Sequence, residues 1–382
     1  MSSIISLFAL ATNSFVRHVN LLAAYSGAIP PVLYEFLLKA SMKTERILSV
    51  RHLFLCWPLK KLSLVNCKEF KEEHTLVLAH GLQTGSNKLR EIDLTGCNIG
   101  VRGTKFLLML VAGQPLPNVT RYCPNRKRTN KNIAAEHSIE KSKDQQNRLS
   151  ITTNCYVDNE NYYLLLEVLE SGDMLHNFTV SYFHAIALGR KRIEIVIRRL
   201  AKFQAEGVTG MNVEMNNLHL VSDNGHQCFS RFSNLQYLNL SMNKIGPIKI
   251  HQLLKNVSAP LTHLILNNCQ FMIGSGEWGT KMATFPSIQK LEHLEIENNQ
   301  LREIGRGIII LLLRCSKTLL FLSLEKNYLT DKSVPEILQL LAAPFALKTL
   351  RIGENKFSLE SERLFFSKDK LGRIDGYCNE VQ

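Results

Sequence analysis

The sequence lacks what covalent or metal-based chemistry would need. Its nine cysteines, an odd number, are scattered from Cys56 to Cys378 without a C-x-x-C pair. That spacing excludes zinc ribbons, dithiol redox motifs and a disulfide framework, and it leads us to expect a reduced, cytoplasmic compartment. There is no H-E-x-x-H, no G-x-S-x-G and no glycine-rich loop followed by lysine, so neither an enzyme, a metal nor a cofactor is expected. Long apolar runs are missing as well. Ile308–Leu313 is far too short to cross a bilayer, and the apolar start Ile4–Ala11 has no Lys or Arg before it, so neither a membrane span nor a secretion signal is expected. Lys and Arg number 46 against 33 Asp and Glu, a net charge of +13. With no basic stripe interleaved with aromatics, nucleic acid is not an expected partner.

What the sequence does have is leucine at fixed spacing. The pattern L-x-x-L-x-L-x-x-N-x-L occurs five times: Leu235, Leu238, Leu240, Asn243, Ile245; Leu261, Leu264, Leu266, Cys269, Phe271; Leu291, Leu294, Ile296, Asn299, Leu301; Leu319, Leu322, Leu324, Asn327, Leu329; and Leu347, Leu350, Ile352, Asn355, Phe357. The first positions are 26, 30, 28 and 28 residues apart, the period of a leucine-rich repeat with a full helix. Each L-x-L is read as a short strand with its leucines turned inward. The ninth-position Asn or Cys turns in after the strand, where an amide can satisfy backbone groups the turn leaves unpaired. Helix-period runs follow, such as Ile304, Ile308, Leu311, Leu312 and Val334, Ile337, Leu338, Leu341. The expected fold is therefore α/β, a leucine-rich-repeat solenoid: a horseshoe of ribonuclease-inhibitor-like repeats of about 28 residues, with an N-terminal helical cap.

The domain reading runs from that array outward. Residues 1–60 form the cap and 61–112 a first repeat-like segment with the strand Leu89, Ile92, Leu94, Cys97. Residues 113–149 are a polar linker whose basic cluster Pro124–Lys131 leaves nuclear import open; 150–230 hold degenerate repeats, and 231–382 the regular ones. In the cap, one helix is expected over residues 4–24, and a second, opened by Pro30-Pro31, with Leu33, Phe36, Leu37 and Ala40 as its apolar face. A third run follows from Ile47 to Phe54. In the degenerate segment, Ile151 to Val157 alternate as a strand, Tyr162–Leu169 reads as a helix and Ile193-Glu194-Ile195 as another strand. With a copy at Val208, Met211, Val213, Asn216 and Leu218, that last strand leaves little room for a helix and implies a shortened repeat near 193–211.

The order of an amphipathic start, a Pro30-containing helix, Trp57-Pro58-Leu59 and the strand Leu89, Ile92, Leu94, Cys97 resembles the PRAME family of leucine-rich-repeat proteins, nearest its leucine-rich-repeat-containing-protein-fourteen branch. The resemblance implies a substrate receptor of a cullin-2 ubiquitin ligase, binding elongin B/C through an N-terminal box and cullin-2 through a following one. Ser6–Phe15 occupies the place of the elongin box, with Leu7 as anchor beside Leu10, Ala11 and Phe15; Ala11 stands where the family has Cys, and Phe15 where it has an aliphatic residue. Ile29, Pro30 and Leu33 satisfy the start of the cullin box. The other reading of these helices is a plain cap, which a solenoid needs in any case.

Outward strand positions stack from repeat to repeat. Tyr237, His263, His293, Phe321 and Thr349 form one column and Asn239, Ile265, Glu295, Ser323 and Arg351 the next, with Glu292, Glu297 and Glu325 close by. Tyr237, His263, His293, Glu295, Glu297, Phe321 and Glu325 are thus the candidate concave face for a protein partner, aromatic rings beside carboxylates suiting a basic or mixed surface. A ligase receptor and a stand-alone protein that sequesters a signalling or transcriptional partner would both use this face.

Overall fold

Alternating leucines give strands too short to stand alone, so each repeat completes its core against the next. The computed structural model describes residues 2–83, 88–117, 148–172, 174–220, 227–271, 276–304, 306–342, 346–369, 372 and 374, with backbone alone at 2–8, 276–278 and 306. The linker's basic cluster Pro124–Lys131 lies outside the described residues. The chain divides into two units, residues 1–181 and 182–382.

The first unit holds helices α1 (Ser2–Val16), α2 (Val19–Tyr25), α3 (Tyr34–Lys43) and α4 (Ile47–Leu55), then β1 (Lys61–Ser63), α5 (Glu72–Gln83), β2 (Glu91–Leu94), α6 (Gly100–Val111), β3 (Ser150–Tyr156) and α7 (Tyr162–Glu170). Strands β1, β2 and β3 pair in parallel, Leu62 beside Ile92 beside Ile151. Helix α4 packs on α5, and α5 on α6. Trp57, buried, donates from Nε1 to the Lys61 carbonyl at 3.2 Å and meets the Tyr34 ring edge-on at 6.0 Å, tying α3 to the entry of β1.

Two expectations for this unit are corrected. The helix expected over residues 4–24 is broken at Arg17-His18, whose N–H groups turn back to Ser14 and Phe15 three residues away and close the first helix. In α3 the buried face is Tyr34, Leu37, Leu38, Ser41 and Met42, spaced i, i+3, i+4, i+7, i+8, so Phe36 points to solvent.

The second unit begins within β4 (Asn177–His184) and continues through α8 (Arg190–Phe203), β5 (Gly210–Asn212), β6 (Tyr237–Asn239), α9 (Gly246–Asn256), β7 (His263–Ile265), α10 (Gly276–Met282), β8 (His293–Glu295), α11 (Arg306–Arg314), β9 (Phe321–Ser323), α12 (Val334–Leu341), β10 (Thr349–Arg351) and α13 (Leu359–Lys368). Strands β4 to β10 pair in sequence order, all parallel. The strand expected at Ile193–Ile195 is instead part of α8. Ile193, Val196, Ile197, Leu200 and Ala201 repeat at helical period and are buried, and Arg198 pairs with Glu194 one turn away. The strand of this repeat lies earlier, in a copy that reads Val180, Phe183, Ala185, Leu188, all buried. It starts 28 residues before Val208, so no repeat is shortened.

After β5 to β9 the chain turns sharply, and the ninth-position side chain holds the turn. Residues on both sides of it take left-handed backbone: Met215 and Asn217, Met242 and Lys244, Asn268 and Gln270, Asn298 and Gln300, Lys326 and Tyr328, all with φ between 51° and 62°. Each such non-glycine residue costs roughly 1–2 kcal/mol. The asparagines offset this with bonds to the preceding repeat. Asn243 accepts from Asn216 N–H at 2.7 Å and donates to the Val213 carbonyl at 2.9 Å. Asn299 accepts from Cys269 N–H and donates to Leu266; Asn327 accepts from Asn299 N–H and donates to Ile296; Asn355 accepts from Asn327 N–H and donates to Leu324. Cys269 keeps only the downward bond, its thiol meeting the Leu240 carbonyl at 3.4 Å.

Candidate functional site

Parallel pairing without register shift stacks the outward positions of the second unit in columns. Tyr182, Gly210, Tyr237, His263, His293, Phe321 and Thr349 are successive partners across β4 to β10. Their rings form a continuous ladder: Tyr182 to Tyr237 at 5.3 Å, Tyr237 to His263 at 5.9 Å, His263 to His293 at 5.1 Å, and His293 on Phe321 at 4.1 Å and 1° between planes. Gly210 is what lets the ladder skip a strand, since a Cβ there would lie 2.2 Å from Cδ2 of Tyr182, whose ring occupies that space. The Arg351 guanidinium caps the other end, 5.3 Å above the Phe321 ring.

The carboxylates beside the ladder differ in how they are held. Glu295 accepts from Nε2 of His293 and from Nδ2 of Asn267, both at 2.7 Å. The His293 bond above all holds its carboxyl below the usual range, against the opposing effect of burial. The acceptor role of Glu295 puts the His293 proton on Nε2. Glu297 accepts from the Ser323 hydroxyl at 2.6 Å. Burial pushes the Glu325 carboxyl up, and the Glu297 charge adds to the effect, while Arg351 and Lys326 oppose it. Burial lowers His263, with His293 next to it acting in the same direction. The structure thus brings together Tyr237, His263, His293, Glu295, Glu297, Phe321 and Glu325, an aromatic floor flanked by carboxylates. Sequence reading missed Tyr182, for which the degenerate Val180–Leu188 copy was the available signal, and Gly210, which the copy starting at Val208 already placed in the column. Asn239 in the second column is buried and caps Ser241 N–H at 2.9 Å, so it is not offered outward.

In the first unit, α1 is anchored by Thr12 and Val16, both buried, and by the Ser49 hydroxyl donating to the Val16 carbonyl at 2.6 Å. The opposite side is open. Leu10 is 64% exposed and Ala11 is exposed, while Phe15 is half-buried. Leu7 lies in α1, its side chain outside the described atoms. Pro30 is exposed, and Ile29 and Leu33 are half-buried. Ile29 and Pro31 line a groove of about 400 Å³ with Tyr34, Cys56 and Trp57. Cys97, Cys269 and Cys315 are buried thiols pushed up to about 12 by burial, which leaves them unreactive. Among the described residues no cluster of His, Cys, Asp or Glu could hold a metal, and no helix is long and apolar enough to cross a membrane.

A family profile described as Leucine Rich repeat matches residues 85–108 and 233–248. The repeats are leucine-rich repeats. Against curated proteins the chain has no match. Among solved structures, these leucine-rich repeats are similar to a chain of the Rad7 and Elc1 complex in yeast, at 16% identity and a TM-score of 0.47 over 98% of this chain and 82% of that one. They are also similar to the leucine-rich repeat-containing protein LegL7 from Legionella pneumophila, at 21% identity and a TM-score of 0.37 over 50% of this chain and 62% of that one. A third similarity is to a chain of the TLR13–ssRNA13 complex, at 17% identity and a TM-score of 0.39 over 82% of this chain and 38% of that one.

Proposed function

We propose that this leucine-rich-repeat chain is a non-enzymatic protein-binding adaptor that takes its partner on the strand face of the second unit. The observation that carries the reading is the ring ladder from Tyr182 to Phe321 with Glu295, Glu297 and Glu325 beside it. Stacked rings offer large contact area at low entropic cost, and flanking carboxylates select a basic or mixed partner surface. Repeat proteins commonly bind through such extended faces.

The finer reading is a PRAME-type substrate receptor of a cullin-2 ubiquitin ligase, with α1 docking elongin B/C and the Ile29–Leu33 segment meeting cullin-2. Supporting it is the open side of α1, where Leu10 and Ala11 face solvent although the helix is anchored by its other side. The half-burial of Phe15 favours a second reading, a stand-alone protein that sequesters its partner. Co-purification from cells tests both. Under the ligase reading, elongins B and C and cullin-2 are captured by the unchanged chain and lost with Leu7→Ala or Leu10→Asp, whereas Phe321→Ala loses only the strand-face partner. Capture of a Phe321-dependent partner with no elongin sinks the ligase reading and leaves the sequestering one. Partners insensitive to both Phe321→Ala and Glu297→Lys sink the strand face.

A further inference from the structure

The net charge of +13 is dispersed along the sequence, but the fold gathers a share of it on the helical side of the second unit. Helix α8, the short turn Cys228–Arg231 and helix α9 are neighbours there, the turn packing against both. Together they carry nine Lys and Arg and one acidic residue, Glu194, which pairs with Arg198. On α8 the exposed positions Lys191, Ile195, Arg198 and Lys202 fall at spacings of four, three and four, a single stripe. Arg198 and Arg231 both act on the Cys228 thiol, so the turn continues the stripe toward α9, where Lys255 is exposed. Burial lowers His251, and Lys281 and Lys255 push the same way, as a positive field requires.

Large apolar side chains stand among these cations. Ile248 is 74% exposed, Ile195 42% and Phe203 40%, the last with the Lys202 ammonium 4.8 Å above its ring. Cations alone would suit any polyanion. Branched aliphatic side chains find no partner on a phosphodiester backbone, but they do enter the boundary between lipid headgroups and acyl chains. We propose that this band, from Arg190 to Lys255, docks on an anionic lipid surface. The ring ladder and its carboxylates belong to the strands and the turns directly after them, so the proposal is independent of the strand-face reading.

The test is co-sedimentation of the full chain with vesicles of phosphatidylcholine alone or of phosphatidylcholine with phosphatidylserine. Binding is expected only with phosphatidylserine, and it weakens as salt is raised. Replacing Lys191, Lys202 and Arg231 together by Gln reduces partitioning roughly a hundredfold, at about fivefold per cation near the surface. Ile248→Ser reduces it several-fold with unchanged melting temperature. A variant with Gln at Lys127, Arg128 and Lys131 of the linker binds as before. The proposal is overturned if vesicles are not bound, if the linker variant rather than the band variant loses binding, or if Ile248→Ser has no effect. Retention on duplex DNA without vesicle binding overturns it in favour of a nucleic acid.

Discussion

Asn327→Ala removes one rung of the ladder that joins the repeats, and the bonds say what it should cost. Asn327 is fully buried. Its Oδ1 accepts from Asn299 N–H at 2.8 Å, and its Nδ2 donates to the carbonyls of Ile296 at 2.6 Å, Leu324 at 3.1 Å and Glu325 at 3.2 Å. Two of these four partners have other bonds, since Leu324 also accepts from Asn355 Nδ2 and Glu325 from Asn298 N–H. Alanine therefore strands two buried groups, Asn299 N–H and the Ile296 carbonyl. At about 1–3 kcal/mol for each unsatisfied buried group, the loss is about 2–6 kcal/mol. Asn355→Ala is the comparison, because Asn355 makes the same kinds of bond but is partly exposed. Water can replace its bonds, and the loss there should be about 1 kcal/mol. Urea denaturation followed by circular dichroism measures both. Asn327→Leu, which fills the volume but strands the same groups, should behave like the alanine variant. A loss below about 1 kcal/mol for Asn327→Ala, or a smaller one than for Asn355→Ala, would refute the view that the amides hold the turns.

Two further predictions follow from the same architecture. Cys269 offers no amide oxygen to Asn243 N–H, so Cys269→Asn should complete the ladder and stabilise the protein by about 1 kcal/mol, read as a rise in melting temperature. The pH dependence has a definite sign. Burial lowers His263, and it lowers His176 to about 4. The unfolded chain therefore binds more protons than the folded one as pH falls below about 6.5. The stability these residues contribute is intact above that pH and is lost toward pH 4, with His176 alone accounting for at most about 3 kcal/mol. Glu295, held below its usual range, adds a loss only at lower pH, as its folded value is crossed. Melting temperatures between pH 7 and 4 should fall steadily, and His176→Gln should flatten the curve; a flat profile for the unchanged chain would contradict the burial of these rings.

The repeat array was legible because its chemistry is periodic. The five regular copies, the inward asparagines and the outward column from Tyr237 to Thr349 could all be placed by counting, since parallel pairing without slip turns sequence period into spatial neighbourhood. One copy that escaped had lost the distinctive residue. Val180, Phe183, Ala185 and Leu188 keep the apolar spacing but have no ninth-position Asn, and without them Tyr182 could not be joined to the column. The copy at Leu59, Leu62, Leu64 and Cys67 was within reach of the same pattern. Ile193-Glu194-Ile195 alternates like a strand over three residues, and only the longer run to Ala201 shows the helical period. The basic band was hidden for another reason: its members are spread over some 66 residues, from Arg190 to Lys255, and become neighbours only when helices from successive repeats are laid side by side.

The asparagine bonds also have a direction. Every side-chain bond that a ninth-position asparagine makes across repeats runs to backbone made earlier: Asn216 to Ala185 and Gly189, Asn243 to Val213, Asn299 to Leu266, Asn327 to Ile296, Asn355 to Leu324. A ribosome delivers the chain in that same order. Each new repeat emerges with the group that completes the one before it, so the array can close turn by turn during synthesis, and a stalled chain leaves only its newest turn open. For the same reason length can vary only between one turn and the next strand, where steps of 26 to 30 residues leave the amides in reach of the same carbonyls, and not between a strand and its own turn.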